Sequence, residues 1–167
     1  MIRVGQGYDV HAFEEGNTKA AGGVIPGGII LGGVSIPFDK SLKAHSDGDV
    51  LIHALCDALL GAAALGDIGR HFPDNDARYH NISSLQLLRD VMVMLEAEGW
   101  LFGNSDMTII AEAPKIAPHV AAMIDTLSEA MGCQPEQLNI KATTSEKLGF
   151  TGRGEGIACQ AIVLLED

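Results

Sequence analysis

The sequence predicts a two-layer α+β domain, a mixed β-sheet with its helices packed on one face. Two observations predict it. The hydrophobic period switches between strand-like and helix-like segments in the order β-β-α-α-β-α-β-β, which groups the helices against one sheet. The 167 residues are 47% apolar and 20% charged, close to the average for a globular domain and too few for two of full size. Residues 1–167 are therefore read as a single domain, with no internal repeat, low-complexity tract or linker dividing them. A chain of this size buries roughly 70% of the surface its unfolded form exposes. Its core needs neither disulfides nor a structural metal, so any metal is free to serve chemistry.

Ile2 to Val10 alternates apolar and polar residues and reads as the first strand; Ile29 to Phe38, rich in Ile and Val around a Gly-Gly, reads as the second. Glu14 to Gly28 is read as the loop between them. Ser46-Asp47-Gly48-Asp49 offers capping side chains directly before Val50 to Leu65, whose Ala and Leu content and polar spacing predict the first helix. Ser83 to Glu98 is the second, with Leu85, Leu88, Val91, Met92 and Leu95 on one stripe and Gly99 ending it. Met107 to Ala111 is a strand. Pro114 to Met131 is a third helix, opened by prolines and closed by Gly132. Leu138 to Thr143 and Ile157 to Leu165 are the last strands. The 20 glycines cluster in Gly22 to Gly33 and Gly149 to Gly156, which marks turns or close backbone approaches.

Charge and cysteine content exclude several functions. Eleven Lys and Arg against twenty-two Asp and Glu give −11, which disfavours nucleic acid and anionic lipid as partners. An anionic substrate would need local compensation from a metal, backbone N–H groups or a few placed cations. Cys56, Cys133 and Cys159 are odd in number and widely spaced, so neither a disulfide framework nor a zinc knuckle is indicated, and a reducing cytoplasm fits. No run reaches the ~18 apolar residues of a membrane span, and Met1 to His11 has no secretory or transit character. A cytoplasmic protein is expected.

Asp9 and His11 lie two apart at the end of a predicted strand, so period-2 geometry sends both side chains to one face. His53 sits inside the otherwise apolar Val50-Leu51-Ile52-His53-Ala54-Leu55, where an unpartnered imidazole carries a desolvation cost. A metal shared by Asp9, His11 and His53 accounts for all three, and the set suits tetrahedral zinc with its fourth position open for catalysis. A hydrogen-bonded core histidine beside a chance D-x-H is the alternative. Asp49 and Asp57 flank His53 at i−4 and i+4, so either is a candidate acceptor for its second N–H. His71, His80 and His119 have no comparable setting.

Three further segments carry two readings each. Ala44-His45-Ser46-Asp47-Gly48-Asp49 is either a helix cap or a cap that also binds phosphate through His45 and Ser46. Lys141-Ala142-Thr143-Thr144-Ser145-Glu146-Lys147 is either a polar turn or a diphosphate site in which Glu146 holds Mg²⁺ or Mn²⁺. Phe150-Thr151-Gly152-Arg153-Gly154-Glu155-Gly156 resembles an ordered tight loop; it lacks P-loop spacing. Gly5 and Gly7 start no G-x-G-x-x-G, because Val10 stands where the third glycine belongs.

Taken together, Gly7-Tyr8-Asp9-Val10-His11, the His45 segment, Gly66-Asp67-Ile68-Gly69, Ala113-Pro114-Lys115, Lys141-Ala142-Thr143-Thr144 and Phe150 to Gly156 closely resemble the 2-C-methyl-D-erythritol 2,4-cyclodiphosphate synthase family, in order and spacing, from Ile2 to Leu165. The resemblance implies a zinc-dependent lyase of the non-mevalonate isoprenoid pathway. It would convert 4-diphosphocytidyl-2-C-methyl-D-erythritol 2-phosphate into the cyclic diphosphate with release of CMP. It implies zinc on Asp9, His11 and His53, of which Asp9 and His11 also face the substrate, and a second divalent ion on Glu146. His45 and Ser46 would meet the methylerythritol side, and Asp67, Ile68 and Gly69 the ribose. Phe72, Pro73, Asp74, Asn75 and Asp76 would form a loop over the substrate, and Ala111, Ala113, Pro114, Lys115, Ile116 and Ala117 the cytosine pocket. Thr143, Thr144, Ser145 and Glu146 would contact the diphosphate, while Phe150 and Arg153 match substrate or central-anion positions.

The resemblance further implies a chorismate-mutase-like homotrimer with active sites between subunits and a central cavity that is a candidate place for an isoprenoid diphosphate. The 2-phosphate must meet the β-phosphate of the same molecule, so divalent cations neutralise charge and fixed orientation brings the ends together. No protein nucleophile is needed, and His45 and Thr144 are assigned to orienting and stabilising the transferring phosphoryl group. Three departures stand out: Gln6 where some members have histidine, a long glycine-rich Glu14 to Gly28, and Ser145 in place of a third threonine. The ligand set alone also permits a zinc phosphohydrolase, and a non-catalytic trimeric binder with a structural zinc is a third reading.

Overall fold

The computed structural model describes residues 1–14, 17–20, 23–26, 28–44, 46–73 and 82–167. Five strands form one mixed sheet: β1 (Ile2–Glu14), β6 (Ser41–Leu42), β7 (Leu101–Ile110), β8 (Leu138–Thr143) and β9 (Gly156–Glu166). Their order is β6-β1-β9-β7-β8. β1 pairs antiparallel with β6 and β9, β9 antiparallel with β7, and β7 parallel with β8. β1, β7 and β8 consequently run the same way. Their C-terminal ends and the N-terminal start of β9 share one end of the sheet, as the pairs Ala12↔Gly156, Ile110↔Ala158 and Ile110↔Thr143 record. Every motif singled out in the sequence after a strand therefore opens at that end.

The helices α1 (Val50–Ala62), α3 (Ser84–Ala97) and α4 (Val120–Met131) pack on one another and on the sheet, with a one-turn α2 (Ile68–His71) and α5 (Gly149–Gly152) between. This is the expected α+β arrangement of helices on a mixed sheet. α1 is buried almost all round, from Val50 to Leu60 with Asp57 the exception. The sheet covers one side of it, and α3 and the Ile29 segment cover the other. α3 follows its predicted stripe through Leu88, Val91 and Leu95. Gly132 ends α4 in the left-handed conformation at φ 65°, as a C-terminal glycine does.

Several boundaries differ from the expectation. Ile29 to Phe38 is not one strand but a hairpin of β4 (Ile29–Leu31) and β5 (Val34–Ile36). Gly32 and Gly33 turn it at φ 55° and 73°, the two positive values that a two-residue hairpin turn requires. Within Glu14 to Gly28, read as a loop, β2 (Asn17–Ala20) and β3 (Gly23–Pro26) form a second hairpin. α1 stops at Ala62 instead of Leu65. The segment from Pro114 opens as a turn and a 3₁₀ stretch, Ala117–His119, so that α4 begins only at Val120. β1 and β7 extend further than predicted because β9 pairs with them along their length.

The approach of α1 to β1 positions everything that follows. A Cβ on Gly5 would lie 2.0 Å from the Ala58 carbonyl oxygen, and one on Gly7 would lie 1.9 Å from that of Ala54. Two residues of strand advance ~6.7 Å and four residues of helix ~6.0 Å, so the inward strand positions keep step with successive helical turns. Gly5 meets Ala58 and Ala62, Gly7 meets Ala54 and Ala58, and the next inward residue, Asp9, meets His53.

On the opposite face of the sheet, Ile2, Val4, Tyr8 and Val10 of β1 and Ile162 of β9 are exposed. Gln6 lies among them, and no helix among the described residues covers this largely apolar strip.

Gly7→Ala should lower stability by at least about 1–3 kcal/mol through overpacking, read as a fall in the urea unfolding midpoint. Gly61→Ala, on the exposed side of α1 with nothing within 4 Å of the added carbon, should raise stability by about 0.5–1 kcal/mol.

Candidate metal centre

β1 delivers Asp9 and His11 on one face, and α1 delivers His53 one turn after its N-terminus. Asp9 Oδ2 lies 3.0 Å from His11 Nε2 and 3.2 Å from His53 Nδ1, and the two imidazole nitrogens are 3.3 Å apart. Among the described residues this is the one group of three His, Cys, Asp or Glu side chains whose ligand atoms converge.

The proton inventory gives the cluster its chemistry. His11 Nδ1 faces the Lys43 carbonyl oxygen at 3.1 Å. A carbonyl only accepts, so that nitrogen carries the hydrogen and Nε2 turns a lone pair inward. His53 Nε2 faces Ser84 Oγ at 3.1 Å, while the Ser84 hydroxyl donates to the Asp47 carboxylate in a short hydrogen bond. The serine hydrogen is thus committed, His53 Nε2–H donates to the serine oxygen, and His53 Nδ1 also presents a lone pair. With both rings neutral, two imidazole lone pairs and a carboxylate oxygen face one point, an arrangement that either an added proton or a shared cation resolves.

The electrostatics agree. Burial pushes the Asp9 carboxyl up, yet the hydrogen bonds and charge of His11 and His53 more than offset it and hold Asp9 at about 2. Burial pushes the His53 imidazole down, and the Asp9 carboxylate reverses this to leave it above its ordinary value. The pocket concentrates negative potential and favours positive charge. His53 is 8% exposed, so water competes weakly for its donors.

The acceptor proposed for the second His53 nitrogen is corrected. Asp49 does not reach it. Its carboxylate caps α1 at Ile52 N (3.1 Å) and takes the N–H groups of Gly32 (3.0 Å) and Gly33 (2.7 Å), tying the hairpin turn to the helix. Burial and the Asp47 charge push Asp49 up to about 6, and the three N–H donors pull it back. Asp57, on the other side, accepts Ile68 N–H at 2.9 Å. Side chains at i±4 were good guesses for a helix surface, but α1 is buried and the place beside His53 is filled by α3. Ser84 and the Lys43 carbonyl were missed; neither a serine 31 residues away nor a main-chain oxygen leaves a spacing signal.

Other predicted site residues lie on the turns and loops around α1 and after β7 and β8. Ser46 accepts Gly48 N–H at 3.2 Å, and Asp67 caps α2 through Arg70 N–H at 2.9 Å. Gly69 is exposed, Ile68 half-buried and Phe72 buried, with Pro73 following. His45, Asp74, Asn75 and Asp76, like His80, lie outside the described residues. Ala111, Ala113, Pro114, Lys115, Ile116 and Ala117 leave the end of β7, with Ala111 and Ile116 buried and Ala113, Lys115 and Ala117 exposed. Beside them, Thr143, Thr144, Ser145 and Glu146 leave the end of β8. Thr144 Oγ1 donates to Glu146 at 3.1 Å, and Ser145 Oγ lies 2.7 Å from Thr151 Oγ1 inside the turn. Glu112 binds the two loops together, accepting Lys147 N–H at 3.1 Å and Lys147 Nζ at 2.8 Å. Phe150 is partly exposed, and Arg153 forms a two-point ion pair with Glu155 at 2.8 and 3.1 Å. Cys56, Cys133 and Cys159 are all unpaired. No helix among the described residues is long and apolar enough to cross a membrane.

Fold and cluster together define a class: an α+β protein with a candidate metal-binding group of two imidazoles and one carboxylate set where a strand meets a helix. Residues 2–166 match the YgbB family, and the chain belongs to it. It is 57% identical over 165 residues to the 2-C-methyl-D-erythritol 2,4-cyclodiphosphate synthase of Pasteurella multocida, covering 99% of this chain and 98% of that one. Its fold matches the bifunctional IspDF of Campylobacter jejuni with a TM-score of 0.89 and 41% identity, over 99% of this chain and 42% of that chain. It also matches the CDP complex of IspF from Plasmodium falciparum with a TM-score of 0.81 and 34% identity, over 98% and 95%.

Replacing Asp49 by Ala leaves three N–H groups without an acceptor, two of them buried. At about 1–3 kcal/mol for each unsatisfied buried group, the expected loss is about 3 kcal/mol, read as a lower urea midpoint, with Asp49→Asn less affected.

Proposed function

We propose that this chain cyclises 4-diphosphocytidyl-2-C-methyl-D-erythritol 2-phosphate to 2-C-methyl-D-erythritol 2,4-cyclodiphosphate, releasing CMP, in the non-mevalonate route to isoprenoid precursors. The observation that carries this reading is the convergence of two imidazole nitrogens and a carboxylate oxygen on one point, in a chain 57% identical to a synthase of that name.

Asp9, His11 and His53 would hold zinc: two imidazole nitrogens and one carboxylate oxygen are its preferred ligands, and three protein ligands leave a position for substrate. Bound there, zinc supplies Lewis acidity toward a phosphate oxygen. In the reaction an oxygen of the 2-phosphate attacks the β-phosphorus; the new P–O bond forms as the bond from that phosphorus to the CMP oxygen breaks, and CMP leaves with the electron pair. A phosphate dianion is already a nucleophile, so the chain supplies positioning. Intramolecular orientation of this kind is worth about 7–11 kcal/mol. His45 and Thr144 are assigned to the transferring phosphoryl group, and Ser46 to the methylerythritol side. Asp67, Ile68 and Gly69 take the ribose, with Phe72, Pro73, Asp74, Asn75 and Asp76 beside it. Ala111, Ala113, Pro114, Lys115, Ile116 and Ala117 form the cytosine pocket, in line with the CDP that the Plasmodium falciparum relative carries. Thr143, Ser145 and Glu146 serve the diphosphate, Glu146 through Mg²⁺ or Mn²⁺. Phe150 and Arg153 take the substrate or central-anion positions; Ser145 is committed to its own turn, and Arg153 is already paired with Glu155.

A homotrimer completes the site. β1 and β8 are three strand spacings apart in the sheet, roughly 14 Å, further than a single diphosphate reaches between the Asp9 cluster and Glu146. A site shared between copies removes that conflict. The uncovered apolar strip of Ile2, Val4, Tyr8, Val10 and Ile162 is the kind of surface that an obligate interface buries. A cavity between copies is where an isoprenoid diphosphate would sit.

Incubation of the cytidylated substrate with protein, zinc and Mg²⁺ should give cyclic diphosphate and CMP by ³¹P NMR. Linear methylerythritol bisphosphate as the main product would make the chain a hydrolase. His53→Ala should lose its zinc and drop turnover by about 10²–10³-fold, the usual loss for removing one electrostatic stabiliser, while the assembly stays folded.

A further inference from the structure

We propose that Asp47 and Ser84 form a proton lock on His53 and thereby set the strength with which the cluster binds its metal. The proposal rests on the zinc reading above and extends it to two positioning residues, neither of which touches ion or substrate.

Ser84 is fully buried and is the first residue of α3, whose N-cap, Ser83, makes no side-chain bond to the helix. Asp47, from the turn before α1, fills that role from across the fold. Its Oδ2 accepts Ser84 N–H at 2.9 Å and its Oδ1 accepts the Ser84 hydroxyl. An anion at a helix N-terminus is well placed electrostatically, and both carboxylate oxygens act as acceptors toward Ser84. The serine hydroxyl then has one orientation open to it, with its hydrogen on Asp47 and its lone pair on His53 Nε2, 3.1 Å away. That orientation forces the imidazole hydrogen onto Nε2 and leaves Nδ1 free to face Asp9 and His11.

Metal-binding histidines commonly gain the same service from a carboxylate directly. Here a hydroxyl is interposed and the carboxylate sits one step further back. Without Ser84, the buried Nε2–H loses its acceptor. The neutral ring then gains by moving its hydrogen to Nδ1, where the Asp9 carboxylate accepts it, and that hydrogen occupies the position a metal needs. Without the charge on Asp47, the hydroxyl is released to turn its own hydrogen toward His53, with the same consequence.

The test compares wild type with Ser84→Ala, Ser84→Thr and Asp47→Asn. Each is stripped of metal and titrated with Zn(II) against a chromophoric chelator, with thermal unfolding of the metal-free forms recorded alongside. The lock predicts about 10–100-fold weaker zinc binding in Ser84→Ala, a loss in the same direction in Asp47→Asn, and near wild-type affinity in Ser84→Thr, which keeps the hydroxyl. Should Ser84→Ala not fold, Asp47→Asn carries the comparison, because it preserves side-chain volume. Zinc affinity unchanged in Asp47→Asn and in a folded Ser84→Ala, with only the metal-free unfolding temperature lowered, would overturn the lock and leave a structural role. A wild-type protein that binds no zinc would instead overturn the zinc reading itself.

Discussion

The structure depends on how closely α1 can lie against β1. Two glycines on the inward face of the strand remove the side chains that would hold the helix away, and the alanines at 54, 58 and 62 present the smallest surface in return. Because the strand and helix repeats nearly match in length, the contact that begins at Gly5 is still in register at Asp9. An imidazole on the helix then falls within 3.2 Å of a carboxylate on the strand. Were the helix further out by one methyl group, His53 would meet Asp9 and His11 only through water, and the three donors would not converge. Packing and metal chemistry are one constraint here.

That constraint places a negative pocket inside an already acidic chain. With a net charge of −11, the protein's own field repels a substrate carrying phosphate groups, and the local sign must be reversed where the substrate binds. Two of the cations at the end of the sheet where β8 finishes are already paired, Lys147 with Glu112 and Arg153 with Glu155. In the proposed reading the reversal falls to cations held by carboxylates, which makes a strongly acidic protein compatible with an anionic substrate.

Much of the site was legible because its elements have simple periods. Asp9 and His11 share a strand face by alternation, and His53 stands out as the polar residue in an apolar helix; both signals survive translation into three dimensions. Gly5 and Gly7 were visible but were weighed only as a nucleotide-binding fingerprint, while their use lies in helix contact, which no single-element pattern reveals. The Gly32-Gly33 pair was placed inside one strand, although its glycine cluster signalled turns or close approaches, since hairpin and continuous strand share the same β-branched composition on either side. Asp49 and Asp57 looked like partners for His53 because i±4 spacing describes an isolated helix; in a buried helix the neighbours come from other elements, and Ser84 took the position. The common opening of three strands at one end of the sheet follows from topology, and topology is set by long-range pairing between β1, β9 and β7.

The most direct measurement is an anomalous difference map recorded at the zinc absorption edge on crystals grown with the metal. The account predicts one peak per chain at bonding distance, ~2.0–2.2 Å, from Asp9 Oδ2, His11 Nε2 and His53 Nδ1, with no fourth protein ligand. A peak elsewhere, or an ion whose coordination is closed by another side chain, would contradict it.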